Sequence, residues 1–94
     1  IYVQIADDFS ADQAQALYEE TYADEPLVDV LPAGEMATLK HVVHRNNAAI
    51  SLTPVTNRYL HITSVTDNLR KGAAGQAVQC FNLMLGFPET TALL

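Results

Sequence analysis

Cysteine occurs once in this chain, which excludes an internal disulfide framework and fits a reducing, cytoplasmic compartment. Cations are scarce as well. Five Lys and Arg stand against eleven Asp and Glu, and the formal charge of −6 argues against nucleic acid and anionic membrane surfaces as partners. No apolar run approaches the roughly 20 residues that a helix needs to cross a bilayer. A glycine-rich phosphate loop of the dinucleotide-binding kind is missing too, so such a domain is not part of these residues. Nor is there an initiator Met or a signal or transit pattern ahead of the first strand-like alternation at Ile1. The chain is therefore expected to be a piece of a longer polypeptide.

What remains is 94 residues with 49% hydrophobic content, enough for one small domain, 1–94, with a core of its own and a high surface fraction. Ile1, Val3 and Ile5 alternate with Tyr2 and Gln4, which predicts an opening strand. Asp7 and Asp8 end it. Ser10 with Gln13 forms a capping-box signature, and Phe9 is placed to staple onto the first turns of the helix that follows. That helix carries Ala14, Leu17, Tyr18, Thr21 and Tyr22 on one face and Asp12, Glu19 and Glu20 on the other, a solvated surface or, alternatively, an acidic metal cluster. Pro26 is expected to stop it.

Leu27 to Leu31 reads as a short strand, and Pro32, Gly34 and Glu35 as the turn after it. Met36 to Arg45 fits both helix and strand spacing; an extended conformation is the expectation. Asn46 and Asn47 introduce a strand over Ala48 to Thr53. Pro54 to Asn57 then turns the chain, and Arg58 to Thr66 returns as the longest strand of a hairpin. Strand, helix, strands, hairpin and helix in this order predict an α+β domain, with helices on one face of a mixed or mainly antiparallel sheet.

The stretch from Asp67 to Thr91 is unlike the rest. It opens on two capping residues, Asp67 and Asn68, and places Arg70 and Lys71 at the start of a helix, where the macrodipole disfavours cations unless an anion or carboxylate lies beside them. From Gly72 to Pro88 no side chain is charged. Ala74, Ala77, Val78, Phe81 and Leu85, with Ala73, Cys80 and Met84 on the next row, form a wide apolar stripe; Gly75, Gln79, Asn82 and Gly86 form the opposite side. Such a helix is either a buried core helix of this domain or one wedged against protein outside it.

The run D-N-L-R-K-G-A-A-G-Q-A-V-Q, followed by N-L-M-L-G-F-P-E-T-T, resembles the C-terminal signature of the N-acetyl-gamma-glutamyl-phosphate reductases, NADPH-dependent enzymes of arginine biosynthesis. D-N-L-R-K-G-A-A is shared with the aspartate-semialdehyde dehydrogenases, whereas G-Q-A-V-Q and G-F-P-E-T-T favour the reductase. Weaker echoes are the opening strand, the acidic helix ending Tyr22-Ala23-Asp24-Glu25-Pro26, Leu27 to Val30, and Asn46-Asn47. Cys80 stands where the family usually has Asn, and Ala92 where it usually has Gly.

The resemblance implies a glyceraldehyde-phosphate-dehydrogenase-like C-terminal domain whose sheet face serves homo-oligomer contacts and whose last helix returns toward an N-terminal dinucleotide-binding domain. It implies NADP as cofactor and reduction of N-acetyl-glutamyl phosphate to the semialdehyde, a reaction needing a thiolate nucleophile, an acid/base and a hydride donor. The nucleophilic Cys and its partner His belong to segments outside this chain; Cys80, mid-helix on an apolar stripe, is read as a small hydrophobe. By the same resemblance Asn68 approaches the nicotinamide carboxamide, amide to amide. Gly72 and Ala73 leave room for that ring, and Lys71 meets an anionic group or an acidic side chain of the other domain. Gln76 and Gln79 either face the interdomain cleft or satisfy buried backbone. His41, His44 and His61 lack companion ligands at a zinc spacing and are read as surface or interface residues. The competing readings are an aspartate-semialdehyde dehydrogenase fragment and a non-catalytic dimerisation module.

Overall fold

The computed structural model describes residues Ile1–Leu94. The elements run β1 (Tyr2–Gln4), α1 (Ala11–Thr21), β2 (Val28–Val30), β3 (Ala48–Thr56), β4 (Tyr59–Thr66) and α2 (Gly75–Leu85). The strands form one sheet in the order β1-β4-β3-β2. β4 is antiparallel to both neighbours and β2 is parallel to β3, so the expected α+β class with a mixed sheet is what the chain builds.

α1 starts where its capping box places it. Ser10 Oγ accepts the Gln13 N–H at 3.1 Å while Gln13 Oε1 accepts the Ser10 N–H at 2.8 Å. The helix closes at Thr21, ahead of Pro26. Its inward face is turned slightly from the expected one. Ala14 and Gln15 are buried and Leu17 is exposed, because the Gln15 amide donates to the Leu31 carbonyl at 2.9 Å and to Glu19 at 2.8 Å. Ala14 joins Ile5, Leu52 and Leu60, flanked by Phe9, Tyr18, Ile50 and Ile62, as the core between α1 and one face of the sheet.

The other face is covered in part by the segment leading to β3. Met36–Arg45 is not extended: Leu39–His41 forms a single 3₁₀ turn. Ala37 donates its N–H to the buried Ser51 hydroxyl at 2.8 Å, and Val42 packs fully buried with Leu31, Ala37 and Ala49. These tertiary contacts outweigh the β propensity of Val42 and Val43. Beyond this cover the same sheet face stays open, with Tyr2 exposed and stacked on His61 at 4.8 Å between ring centroids.

The hairpin turn is also tighter than its sequence suggests. β3 continues through Pro54 and reaches Thr56, so the turn is Asn57-Arg58 and β3, with nine residues, is the longest strand. Pro54 is accommodated because the register shifts between Pro54 and Thr56, an irregularity of the kind that tolerates a residue without an N–H.

α2 does not lie on the sheet. It extends from the end of β4, and the molecule measures 44 × 25 × 18 Å with a radius of gyration of 14.9 Å, against about 12 Å for a compact domain of this length. Only 15 of the 94 residues are buried, which leaves much of the apolar surface of α2 without cover from its own chain.

Candidate functional site

β4 ends at Thr66 and the chain turns at once. Asp67 sets that turn: Oδ1 accepts the N–H of Leu69 at 2.8 Å and that of Arg70 at 3.3 Å. Oδ2 reaches across the fold to accept the N–H of His44 at 2.8 Å. These donors hold the Asp67 carboxyl below the usual carboxylate range, the His44 N–H most strongly and the Leu69 N–H next. His44 itself has φ +61, the left-handed region that non-glycine residues seldom occupy.

The capping role expected of Asp67 and Asn68 together thus falls to Asp67. Asn68 is exposed at the corner, and its amide is free of bonds within the chain. The Gly72 N–H reaches back to the Asp67 carbonyl at 2.9 Å, and the Gly75 N–H reaches back to that of Arg70, so Arg70–Ala74 forms a π-helical turn that runs into α2. Widened turns of this kind occur often at functional sites. A Cβ on Gly72 would lie 3.2 Å from the Asp67 carbonyl oxygen and 3.6 Å from Asn68 Oδ1. Glycine therefore keeps clear the space beside the Asn68 amide. Ala73 is exposed next to it.

Lys71 is engaged. Its ammonium donates to Gln79 Oε1, and Gln79 Nε2 donates to Glu89 Oε1 at 2.7 Å, forming a relay from the turn across α2 to the G-F-P-E-T-T segment. Gln79 thus acts inside the chain, while Gln76 donates to Cys80 Sγ at 3.5 Å. A pocket of about 330 Å³ lies behind the turn, lined by His44, Arg45, Asn47 and Arg70 among others, but by none of Asn68, Lys71, Gly72 or Ala73. Asn68, Gly72 and Ala73 are exposed, so a ligand there would be enclosed from outside this chain.

Comparison with known proteins bears on the strand framework first. The family model for the semialdehyde dehydrogenase dimerisation domain matches residues 1–68. The chain belongs to that family. Curated relatives extend the likeness through the C-terminal helix. An N-acetyl-gamma-glutamyl-phosphate reductase of Cellvibrio japonicus is 45% identical over 94 residues, and one of Bordetella avium is 47% identical over 94, each alignment covering 99% of this chain. One of Symbiobacterium thermophilum is 48% identical over 95 residues, again covering 99%. In all three the match spans 27% of the relative's length.

In this semialdehyde dehydrogenase domain the turn at Asn68 stands where the dimerisation model ends, and α2 lies beyond it. α2 has the expected period, but its polar side faces its own chain. Gly75 and Asn82 are buried, and the Asn82 amide donates to the Glu89 and Thr91 carbonyls, each at 3.0 Å. The apolar stripe faces out, with Phe81 55% exposed, Met84 82% and Leu85 58%, and Leu83, on the flank beside Gln79, is 60% exposed. Cys80, read from the sequence as a buried small hydrophobe, is exposed on that stripe. Of the histidines, His41 turns its Nδ1 back to accept the Thr38 N–H at 3.0 Å, and His61 stacks on Tyr2. No His, Cys, Asp and Glu side chains gather in a group able to hold a metal, and no helix is long and apolar enough to cross a membrane.

The contact between Asp67 and His44 went unseen in the sequence. Its only sign there was an acidic residue directly before the exposed amide, which reads equally well as a local cap.

Proposed function

We propose that this chain is part of an NADPH-dependent N-acetyl-gamma-glutamyl-phosphate reductase, a cytoplasmic enzyme of arginine biosynthesis, and supplies the turn that meets the nicotinamide end of the cofactor. The observation that carries this reading is the Asp67–Ala73 turn. The end of β4 delivers a free amide, Asn68, beside a space that Gly72 leaves open, and that pairing suits the donor and acceptor of a carboxamide. The identity to relatives named for that reductase, across nearly the whole chain, supports it.

The cofactor would supply the hydride that converts the acyl group of N-acetyl-glutamyl phosphate to the semialdehyde. Asn68 would orient the ring, and Gly72 and Ala73 would admit it. Lys71, held by Gln79, would place a cation at the same end, toward an anionic group or a carboxylate of the dinucleotide-binding domain. The nucleophile and the acid/base come from segments outside this chain. The same dinucleotide-binding domain is the cover proposed for the outward side of α2, where Phe81, Leu83, Met84 and Leu85, each already partly covered, would each gain about 1–2 kcal/mol on full burial. The open sheet face around Tyr2 and His61 is the proposed homo-oligomer surface.

Asn68→Ala in the intact reductase tests the assignment. Loss of one ligand hydrogen bond should raise the KM for NADPH by up to about tenfold with little change in the KM for the acyl phosphate. Unchanged cofactor kinetics would remove Asn68 from the site. A purely dimerising module is the second reading, favoured by the family model's own description; an intact protein that dimerises but gives no NADPH signal in titration would establish it.

A further inference from the structure

We propose that Asp67 is the positioning residue for this turn, joining the loop before β3 to the corner after β4 through one carboxylate shared between them. The proposal rests on the reading of Asn68 as a cofactor contact and adds what fixes Asn68 in place. A local turn needs only one oxygen of the aspartate, and Oδ1 fills that role by accepting Leu69 and Arg70. Oδ2 is spent on a residue 23 positions earlier, the N–H of His44. Charge-assisted bonds of this kind are about twice as strong as neutral ones, and this one anchors a backbone held in the left-handed region at φ +61.

The two joined segments have different footings. On one side, His44 follows Val42, which is fully buried under the sheet, so the loop is fixed to the core. On the other, Asn68 is exposed and α2 leaves the sheet. Oδ2 therefore transfers the rigidity of the first segment to the second. Without it the corner would keep its shape but would be tied to that loop only at a distance, through the Asn46 amide that donates to the Leu93 carbonyl at 3.0 Å.

Asp67→Asn separates these two effects. Asparagine can present its Oδ1 to Leu69 and Arg70, but it puts an NH₂ group against the His44 N–H, donor facing donor. In the intact reductase this change should raise the KM for NADPH roughly tenfold while the KM for the acyl phosphate stays near wild type. Wild-type cofactor kinetics in Asp67→Asn, alongside an impaired Asn68→Ala, would overturn the positioning role alone. Wild-type kinetics in both variants would overturn the cofactor reading beneath it. Amide exchange on the unmodified reductase supplies a test that needs no variant to fold. The His44 N–H, although in an exposed residue, should be protected to the degree of the Leu69 N–H; exchange at the rate of a free loop amide would refute the contact.

Discussion

Gly75→Ala probes the junction on which the candidate site is mounted. A Cβ at this position would lie 2.1 Å from Asn46 Oδ1, 2.7 Å from the Arg70 carbonyl oxygen and 2.9 Å from its carbon. The first contact can be relieved by rotating Asn46, but its Nδ2 holds the Leu93 carbonyl at 3.0 Å, and losing that bond costs about 1 kcal/mol. The second contact is with backbone that accepts the N–H of Gly75 itself, so relief there means reshaping the π turn. Overpacking of this sort costs about 1–3 kcal/mol, and the better helix propensity of alanine returns about 1 kcal/mol. The net expectation is a destabilisation of about 1–3 kcal/mol, together with release of the C-terminal segment. Urea unfolding of the intact protein measures the first. Faster exchange of the Leu93 amide, which donates to the Thr90 carbonyl at 2.9 Å, reports the second. A midpoint equal to or above wild type, with Leu93 still protected, would show that the helix does not sit this close to Asn46.

Two further outcomes follow from backbone and charge. Ala92 has φ +65, so Ala92→Gly should stabilise the protein by about 1 kcal/mol in the same unfolding assay, even though glycine adds freedom to the unfolded chain. Asp67 is held below its reference value of 3.8, so its contribution to stability is full above about pH 4 and is lost as pH falls through the lower folded value. The gap in thermal midpoint between wild type and Asp67→Asn should accordingly narrow below pH 4; a gap constant from pH 6 to pH 3 would refute that assignment.

Features decided by neighbours in sequence were the legible ones. The alternation of Val3 and Ile5, the Ser10–Gln13 box and the apolar run at Leu27 to Leu31 each determine their element locally, and each element forms there. The misreadings share a cause. Met36–Arg45 is shaped by Ser51, fourteen positions away, and by burial of Val42. The turn placed at Pro54 moved because a register shift absorbs the proline. For α2 the period was readable but its orientation was not: apolar spacing shows which residues want cover, and not whether their own sheet provides it. Carbonyls at Glu89 and Thr91, which need donors, drew the amide side inward instead. At the candidate site Asn68 and Gly72 are named on the strength of the family resemblance, whereas the His44 link to Asp67 exists only once the loop and hairpin are folded together.

The amides of Gln79 and Asn82 are already committed within the chain, and this bears on how the helix tolerates change. Whatever rests on Phe81, Met84 and Leu85 finds no directional group there to match, so its grip is set by volume and contour. Aliphatic exchanges of equal volume along that ridge should be tolerated, whereas a single acid or base introduced there would have to be stripped of water on docking and would weaken it.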